Sequence, residues 1–385
     1  MKKKIAFTFP HLYSFGGGEI FCEYLTNYLI NFYDLDLYYY ESGKINQKLK
    51  FNKKIKILGI RSKNFFIDHL CKNYIFLAQL YLIFFLQKKK YYFIFSGAGE
   101  FFHKNKCFQY IHHPFYSLNI FHYLSLGLKK KNFIKLFLRF FVSLFVRLIF
   151  LYNKTKYEKT ISIVNSKFIY KRLKKIYKNN SLKPYLVYPT FKIPKIIVEK
   201  FHNFEKRKND FVILGRVSED KNTLEAINFF LEFKKKNTNL NLGRLHIIGP
   251  IQKKLINQIK LKKLDNSDCI FYGYLSLKKR NFILKKIKYG LHFFVGEHFG
   301  RSILEMQKFG LIVFCHNSGG AMEIVANSLQ KFKTKHELSE KIKLVAQNSE
   351  LRKKIKKMIE KKIYKFTDQN FKRKIFDVLK IEQNA

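Results

Sequence analysis

Acidic side chains are scarce in this sequence. It has 27 Asp and Glu against 75 Lys and Arg, a formal net charge of +48 and a pI near 10.0. Proline is scarcer, at 6 in 385 residues, and there is no long polar tract, which argues against extensive disorder. The five cysteines (Cys22, Cys71, Cys107, Cys269 and Cys315) are scattered, odd in number and never spaced CxxC. That pattern excludes a disulfide framework or a zinc site and fits a reducing compartment. Met1-Lys-Lys-Lys runs directly into Ile5-Ala-Phe-Thr-Phe9, too short an apolar stretch for a secretory leader, so it reads as a first buried strand. Signatures of RNA or DNA binding are also missing, and the aromatics lie within apolar runs. The charge therefore names no partner by itself. Nucleic acid, an anionic membrane surface and anionic substrates share its sign. Drift in a chain rich in Lys, Asn, Ile, Phe and Tyr produces it with no partner at all. We expect no nucleic-acid partner, and a cytoplasmic protein lying peripherally on an anionic membrane surface.

The 385 residues, 47% of them hydrophobic, exceed one ordinary core and suggest two domains. Short apolar runs alternate with helical stretches, the pattern of parallel sheets covered by helices. Strands are expected at 4–9, 35–40, 54–59, 91–96, 107–112 and 160–165, then at 211–215, 244–248, 269–273, 291–295 and 311–315. The first half closes near Val187-Tyr-Pro-Thr-Phe191, with Ile193-Pro-Lys as a hinge. The fold class expected is α/β, two Rossmann-like domains facing one another, with ligands at the carboxyl ends of the strands.

The run 132–152 is long enough to span a bilayer. Against spanning, Lys131, Lys135, Arg139, Ser143 and Arg147 recur every fourth residue as a polar stripe, and each central Arg would cost about 2.5–3.5 kcal/mol. Two readings stand: an interfacial helix with Lys129, Lys130 and Lys131 at the headgroups, or a core helix with an exposed stripe. The run Tyr74–Leu86 reads as a packed helix.

The residues that could carry chemistry cluster at expected strand ends. Glu297 and Glu305 are separated by seven residues in Gly-Glu-His-Phe-Gly-Arg-Ser-Ile-Leu-Glu. Gly300, Arg301 and Ser302 would open the intervening helix, whose first N–H groups suit a diphosphate. Carboxylates only accept hydrogen bonds and sugar hydroxyls donate them, so the arrangement describes a nucleotide-sugar site. Gly215-Arg-Val-Ser-Glu-Asp-Lys221 places Arg216 and Lys221 where two cations would neutralise a pyrophosphate leaving group; a solvated charged loop is the alternative. Gly16-Gly-Gly18-Glu19 follows the first strand, either as a ligand loop or as a tight turn. His112 ends a strand before His113-Pro114, as a donor to substrate or as a structural group. His316-Asn-Ser-Gly-Gly-Ala-Met-Glu323 repeats the glycine-then-carboxylate pattern one strand after the paired glutamates.

Together these segments resemble the retaining GT-B glycosyltransferases of family 4. Glu297 and Glu305 match that family's E-x7-E motif. The resemblance implies donor-sugar contacts from Glu297, His298, Phe299 and Gly300, and ribose contacts from Glu305. It implies diphosphate contacts from Arg216, Lys221, Gly300, Arg301 and Ser302, with Gly17 and Gly18 closing over phosphate and acceptor. His112 would lie at the reaction centre beside Glu297, Arg216 and Lys221. Glu297-His-Phe-Gly300, His316-Asn-Ser-Gly-Gly320 and Phe366-Thr-Asp-Gln-Asn-Phe371 look most like the dolichol-linked-oligosaccharide α-1,2-mannosyltransferase branch, which uses GDP-mannose on a lipid-linked glycan. Departures are the missing N-terminal anchoring helix, and Arg301-Ser302 and Met306-Gln307-Lys308 where the branch has small or apolar residues. The implied chain has an acceptor domain at 1–192, a nucleotide-sugar domain at 193–365, and a helix at 366–385 packing back on the first. Hexose transfer would proceed with retention, without metal or other cofactor.

Overall fold

A computed structural model describes residues 2–116, 133–146, 148, 159–176, 184–190, 204–261, 264 and 267–381. The chain forms two compact units, Met1–Lys192 with Phe371–Ala385, and Ile193–Asn370. The division falls inside the helix Asp368–Ile381. The expected closure and hinge at 187–195 lie partly outside the described residues, from 191 onward.

The first unit holds strands β1 (Lys4–Thr8), β2 (Asp34–Tyr40), β3 (Lys56–Ile60), β4 (Ile94–Ser96), β5 (Cys107–Ile111), β6 (Thr160–Val164) and β7 (Tyr185–Leu186). They form one sheet in the order β3-β2-β1-β4-β5-β6-β7, parallel throughout. The central strands are apolar on both faces, as burial by helices on each side requires. Phe7, Phe95 and Phe108 form a stacked aromatic seam across β1, β4 and β5.

The second unit holds β8 (Lys208–Leu214), β9 (Leu245–Ile248), β10 (Cys269–Gly273), β11 (Ile287–His292), β12 (Ile312–His316) and β13 (Lys331–Phe332). Their order is β10-β9-β8-β11-β12-β13, again all parallel. The strand order reverses between β8 and β11, and at such a switch point the loops beyond the carboxyl ends part to leave a crevice. On the inner face Phe211, Tyr289 and Phe314 pack from three adjacent strands, over a core that also takes in Phe230, Leu245 and Ile355.

Every strand expected from the sequence is present, with shifted ends. The largest shift is β11, expected at 291–295 and found at Ile287–His292. The strand starts before Lys288, whose side chain is buried and whose ammonium donates to Asn209 at 2.9 Å. The two-residue edge strands β7 and β13 were not expected, being too short to register as apolar runs. The run at 74–86 forms the helix Ile75–Leu86, with Phe76, Ala78, Leu82 and Ile83 buried. Of the expected polar stripe along the helix Phe133–Val146, Ser143 is the residue whose side chain is described. Ser143 is buried while Phe137, Phe141, Leu144 and Phe145 are exposed. Lys129, Lys130, Lys131, Arg147 and 149–152 lie outside the described residues. No described helix is long and apolar enough to cross a membrane.

Because Phe211 is fully buried between Phe230 and Tyr289, Phe211→Ala should cost the second unit about 3–5 kcal/mol. Urea unfolding followed by circular dichroism measures this. A change below about 1 kcal/mol would mean that the β8 seam is not the core.

Candidate active site

Three loops leave the carboxyl ends of β8, β11 and β12 and are tied together around one carboxylate. From the β8 loop, Lys221 Nζ donates to Glu297 Oε2 at 2.9 Å, and lies 3.8 Å from the centre of the Phe294 ring. The cation is thus held between a carboxylate and an aromatic face. Asn222, in the left-handed conformation at φ +50°, starts the following helix Thr223–Lys236, and its Nδ2 donates to the Phe293 carbonyl at 3.3 Å. From the end of β11, His292 Nε2 lies 3.3 Å from the same Glu297 oxygen.

The β12 loop supports Glu297 through backbone. The Gly320 N–H donates to the Glu297 carbonyl at 2.6 Å, and the Gly296 N–H donates to Ser318 Oγ at 2.7 Å. A Cβ at Gly319 (φ +73°) would fall 2.2 Å from the Glu297 carbonyl oxygen, and one at Gly320 would fall 2.2 Å from that of His298. Only glycines allow two loops to approach this closely. Burial alone would raise the Glu297 pKa. The neighbouring His292 and the Lys221 charge more than offset this, and hold the carboxyl well below the usual range.

Gly300, at φ +104°, precedes the helix Arg301–Lys308. Glu305 is buried in that helix and held by two guanidinium groups, Arg301 Nε at 2.7 Å from Oε1 and Arg280 Nη1 at 3.3 Å from Oε2. Burial pushes its carboxyl up, and the Arg301 and Arg280 charges bring it below its ordinary value. Each carboxylate oxygen carries two lone pairs, so both retain acceptor capacity. Phe299 packs on Phe366 at 5.8 Å. Among the described residues, no group of three or more His, Cys, Asp or Glu side chains could hold a metal ion.

This arrangement gives cations, a helix N-terminus and ionised carboxylates at one switch point. It coincides with a match of residues 195–362 to the family described as glycosyl transferases group 1. Those residues are similar to the group 1 glycosyltransferases. No curated protein sequence matches the chain. Solved structures do. The Anabaena protein HepE, crystallised with UDP and glucose, is 15% identical with a TM-score of 0.66, over 98% of this chain and 99% of that one. A glycosyltransferase from Rickettsia africae is 17% identical with a TM-score of 0.65, over the whole of both chains. Sucrose-phosphate synthase from Thermosynechococcus elongatus is 12% identical with a TM-score of 0.67, over 100% and 99%. These likenesses show the fold, which is GT-B.

Within the second unit, the residues singled out from sequence fall into two groups. Lys221, Glu297 and the 316–320 segment meet directly. Arg216 stands at the mouth of the β8 loop, more than half exposed, and pairs with Asp220 at 3.1 Å. Glu305 pairs with Arg301 as its position one helical turn away allows. No motif or spacing points to Arg280, a distant partner on the helix Leu277–Leu284. His292 could have been noticed as the residue that ends β11.

In the first unit, Gly16 precedes the helix Gly17–Leu29, and the Glu19 carboxylate takes the Gly16 N–H at 3.0 Å and the Ser14 hydroxyl. A Cβ at Gly18 would touch the Phe9 ring at 3.0 Å. His112 follows β5, with its ring edge-on to Phe21 of that helix at 4.5 Å and its carbonyl accepting from Asn165 at 3.1 Å. The glycine loop's helix and His112 are therefore packed neighbours.

The depressed Glu297 pKa has a pH consequence. Its contribution to stability is fully present above the unfolded value of about 4.3 and is lost as pH falls through the lower folded value. Lys221→Met should therefore destabilise the domain by about 1–3 kcal/mol at neutral pH. The gap to the parent should close as pH drops below the carboxylate range. Thermal unfolding across pH measures it, and a constant gap would contradict the pairing.

Proposed function

We infer that this chain moves a hexosyl group, mannose being the first candidate, from a nucleotide sugar to a lipid-linked or polysaccharide acceptor. The anomeric configuration is retained and no metal is used. The observation that carries this reading is the Lys221–Glu297 contact at the β8/β11 switch point, within residues similar to the group 1 glycosyltransferases. Departure of a nucleoside diphosphate builds negative charge on the leaving oxygen. Lys221, Arg216 and the helix start at Gly300-Arg301-Ser302 supply fixed positive groups for it, which accelerates transfer only because that charge grows in the transition state. A diphosphate arriving beside Lys221 shares its ammonium with Glu297, leaving carboxylate lone pairs for sugar hydroxyls. Glu305, whose oxygens keep acceptor capacity beside Arg280 and Arg301, is the ribose partner in this reading. On the face the leaving group vacates, the acceptor hydroxyl attacks, by the family resemblance. His112, next to the Gly17-Gly18 helix, is assigned to the acceptor side.

The exposed apolar side chains of the helix Phe133–Val146, together with the net charge of +48, support peripheral attachment to an anionic membrane and so a lipid-linked acceptor. HepE was crystallised with UDP and glucose, so UDP-glucose belongs beside GDP-mannose in the donor screen.

Thermal shift with nucleoside diphosphates, followed by transfer assays with both donors on lipid-linked and soluble acceptors, tests the reading; stabilisation by none of them would remove it. Arg216→Ala and Lys221→Ala should each lower turnover about 10²–10³-fold, and turnover equal to the parent in both would remove the diphosphate assignment. Glu305→Ala should chiefly weaken donor affinity, and unchanged affinity would count against the ribose role. EDTA should leave turnover intact, and inhibition would contradict metal independence.

A further inference from the structure

A pocket of about 660 Å³ opens at the amino ends of β1 and β2, the opposite end of that sheet from the Gly17-Gly18 loop and His112. Three segments of the first unit form it: the residues ahead of β1, the turn after the helix Gly17–Leu29, and the end of the helix Asp368–Ile381. Phe32, Tyr33, Phe376 and Leu379 give it an apolar lining. The Phe32 and Phe376 rings stand 5.6 Å apart, and Phe32 is 43% exposed.

Three lysines share the lining, Lys2, Lys3 and Lys380. Each ammonium is held in place. Lys2 Nζ donates to the Ile30 carbonyl at 2.9 Å. Lys3 Nζ lies 4.0 Å from the centre of the Tyr92 ring, and Lys380 Nζ 4.7 Å from that of Phe376. An ammonium has three donors, so Lys2 keeps two after Ile30 is served. Among the described residues no acid lines the pocket. Asp34 and Asp377 adjoin Tyr33 and Phe376 in sequence without lining it, and Lys4 is paired with Asp36 at 3.1 Å.

That mixture selects the occupant. A neutral hydrocarbon would strip water from the ammonium groups and return nothing for it. An inorganic anion would leave the rings wet. A phosphate monoester brings nearly two negative charges and three acceptor oxygens at neutral pH, while an apolar body covers the rings. The volume is that of a small-molecule site.

We propose that this pocket binds, from solution, one molecule of an organic phosphate monoester with an apolar body. The phosphate lies among Lys2, Lys3 and Lys380, and the body lies on Phe32 and Phe376. This rests on neither the donor nor the reaction. The thirteen residues of the helix Gly17–Leu29 hold the pocket about 20 Å from the glycine loop.

The sequence contains no tryptophan, so the full-length Phe32→Trp variant carries a single indole at the pocket. Octyl phosphate below its micellar concentration should change that emission, and should titrate calorimetrically at one molecule per chain of the parent. Inorganic phosphate and octanol should each bind at least about tenfold more weakly. The variants Lys3→Gln/Lys380→Gln and Phe32→Ser should each weaken octyl phosphate about tenfold or more, with melting temperature unchanged. Lys88→Gln/Lys90→Gln, at exposed positions elsewhere, should leave its affinity intact. Nucleoside diphosphate binding, unchanged in all three, scores the donor reading separately. Parental affinity in Lys3→Gln/Lys380→Gln, or an equal loss in Lys88→Gln/Lys90→Gln, overturns the proposal in favour of general attraction to a chain of net charge +48. Octanoate binding as tightly as octyl phosphate overturns the phosphate assignment. A response to phosphatidic acid vesicles with none to octyl phosphate overturns the proposal in favour of a membrane surface.

Discussion

A carboxylate withdrawn from water must be given back its solvation by fixed charges and dipoles, and Glu297 is where the second unit meets that requirement. The residues that do so come from separate places in the chain: Lys221 from the β8 loop and His292 from the end of β11. The Gly320 N–H and the Ser318 hydroxyl then fix the segment that carries it, through its carbonyl and the Gly296 N–H. Because those loops leave neighbouring strands at the switch point, satisfying one buried acid also sets their spacing. Without Lys221 the acid would be left with the His292 imidazole and the His298 N–H, 3.2 Å from its Oε1, against the cost of burial. The arrangement doubles as preorganisation, since the groups that hold the acid are those an anionic ligand would meet.

The second carboxylate follows a different logic. Glu305 is clamped by Arg301 and Arg280 rather than by a single lysine. Guanidinium groups stay charged at any accessible pH and approach in a plane, so this site has a fixed direction. A lysine can swing and be shared. The chain thus places an ammonium, held also by the Phe294 ring, at Glu297 and two guanidinium groups at Glu305.

Much of the fold was legible because parallel strands buried on both faces write themselves as uninterrupted apolar runs. All eleven such runs became strands. What escaped notice had physical reasons. Strand β11 starts before Lys288, and a charged residue signals exposure unless its partner, here Asn209, is known. Strands β7 and β13 are two residues long and carry no periodicity. For the site, spacing revealed Glu297 and Glu305 because both lie in one continuous segment. Arg280 lies 25 residues before Glu305 on a helix with no motif, and only the fold brings them together. The helix Phe133–Val146 shows the limit of pattern reading: a polar residue every fourth position specifies a stripe but not which way it turns, and Ser143 turned inward.

The close approach of Gly319 and Gly320 to the Glu297 and His298 carbonyls leaves no volume for a side chain at either glycine. The path of the 296–300 segment is accordingly set by main chain against main chain, and Phe299 is spoken for by Phe366. A side chain introduced at either glycine would have to part these two loops, and parting them would draw the Glu297 carboxylate away from Lys221.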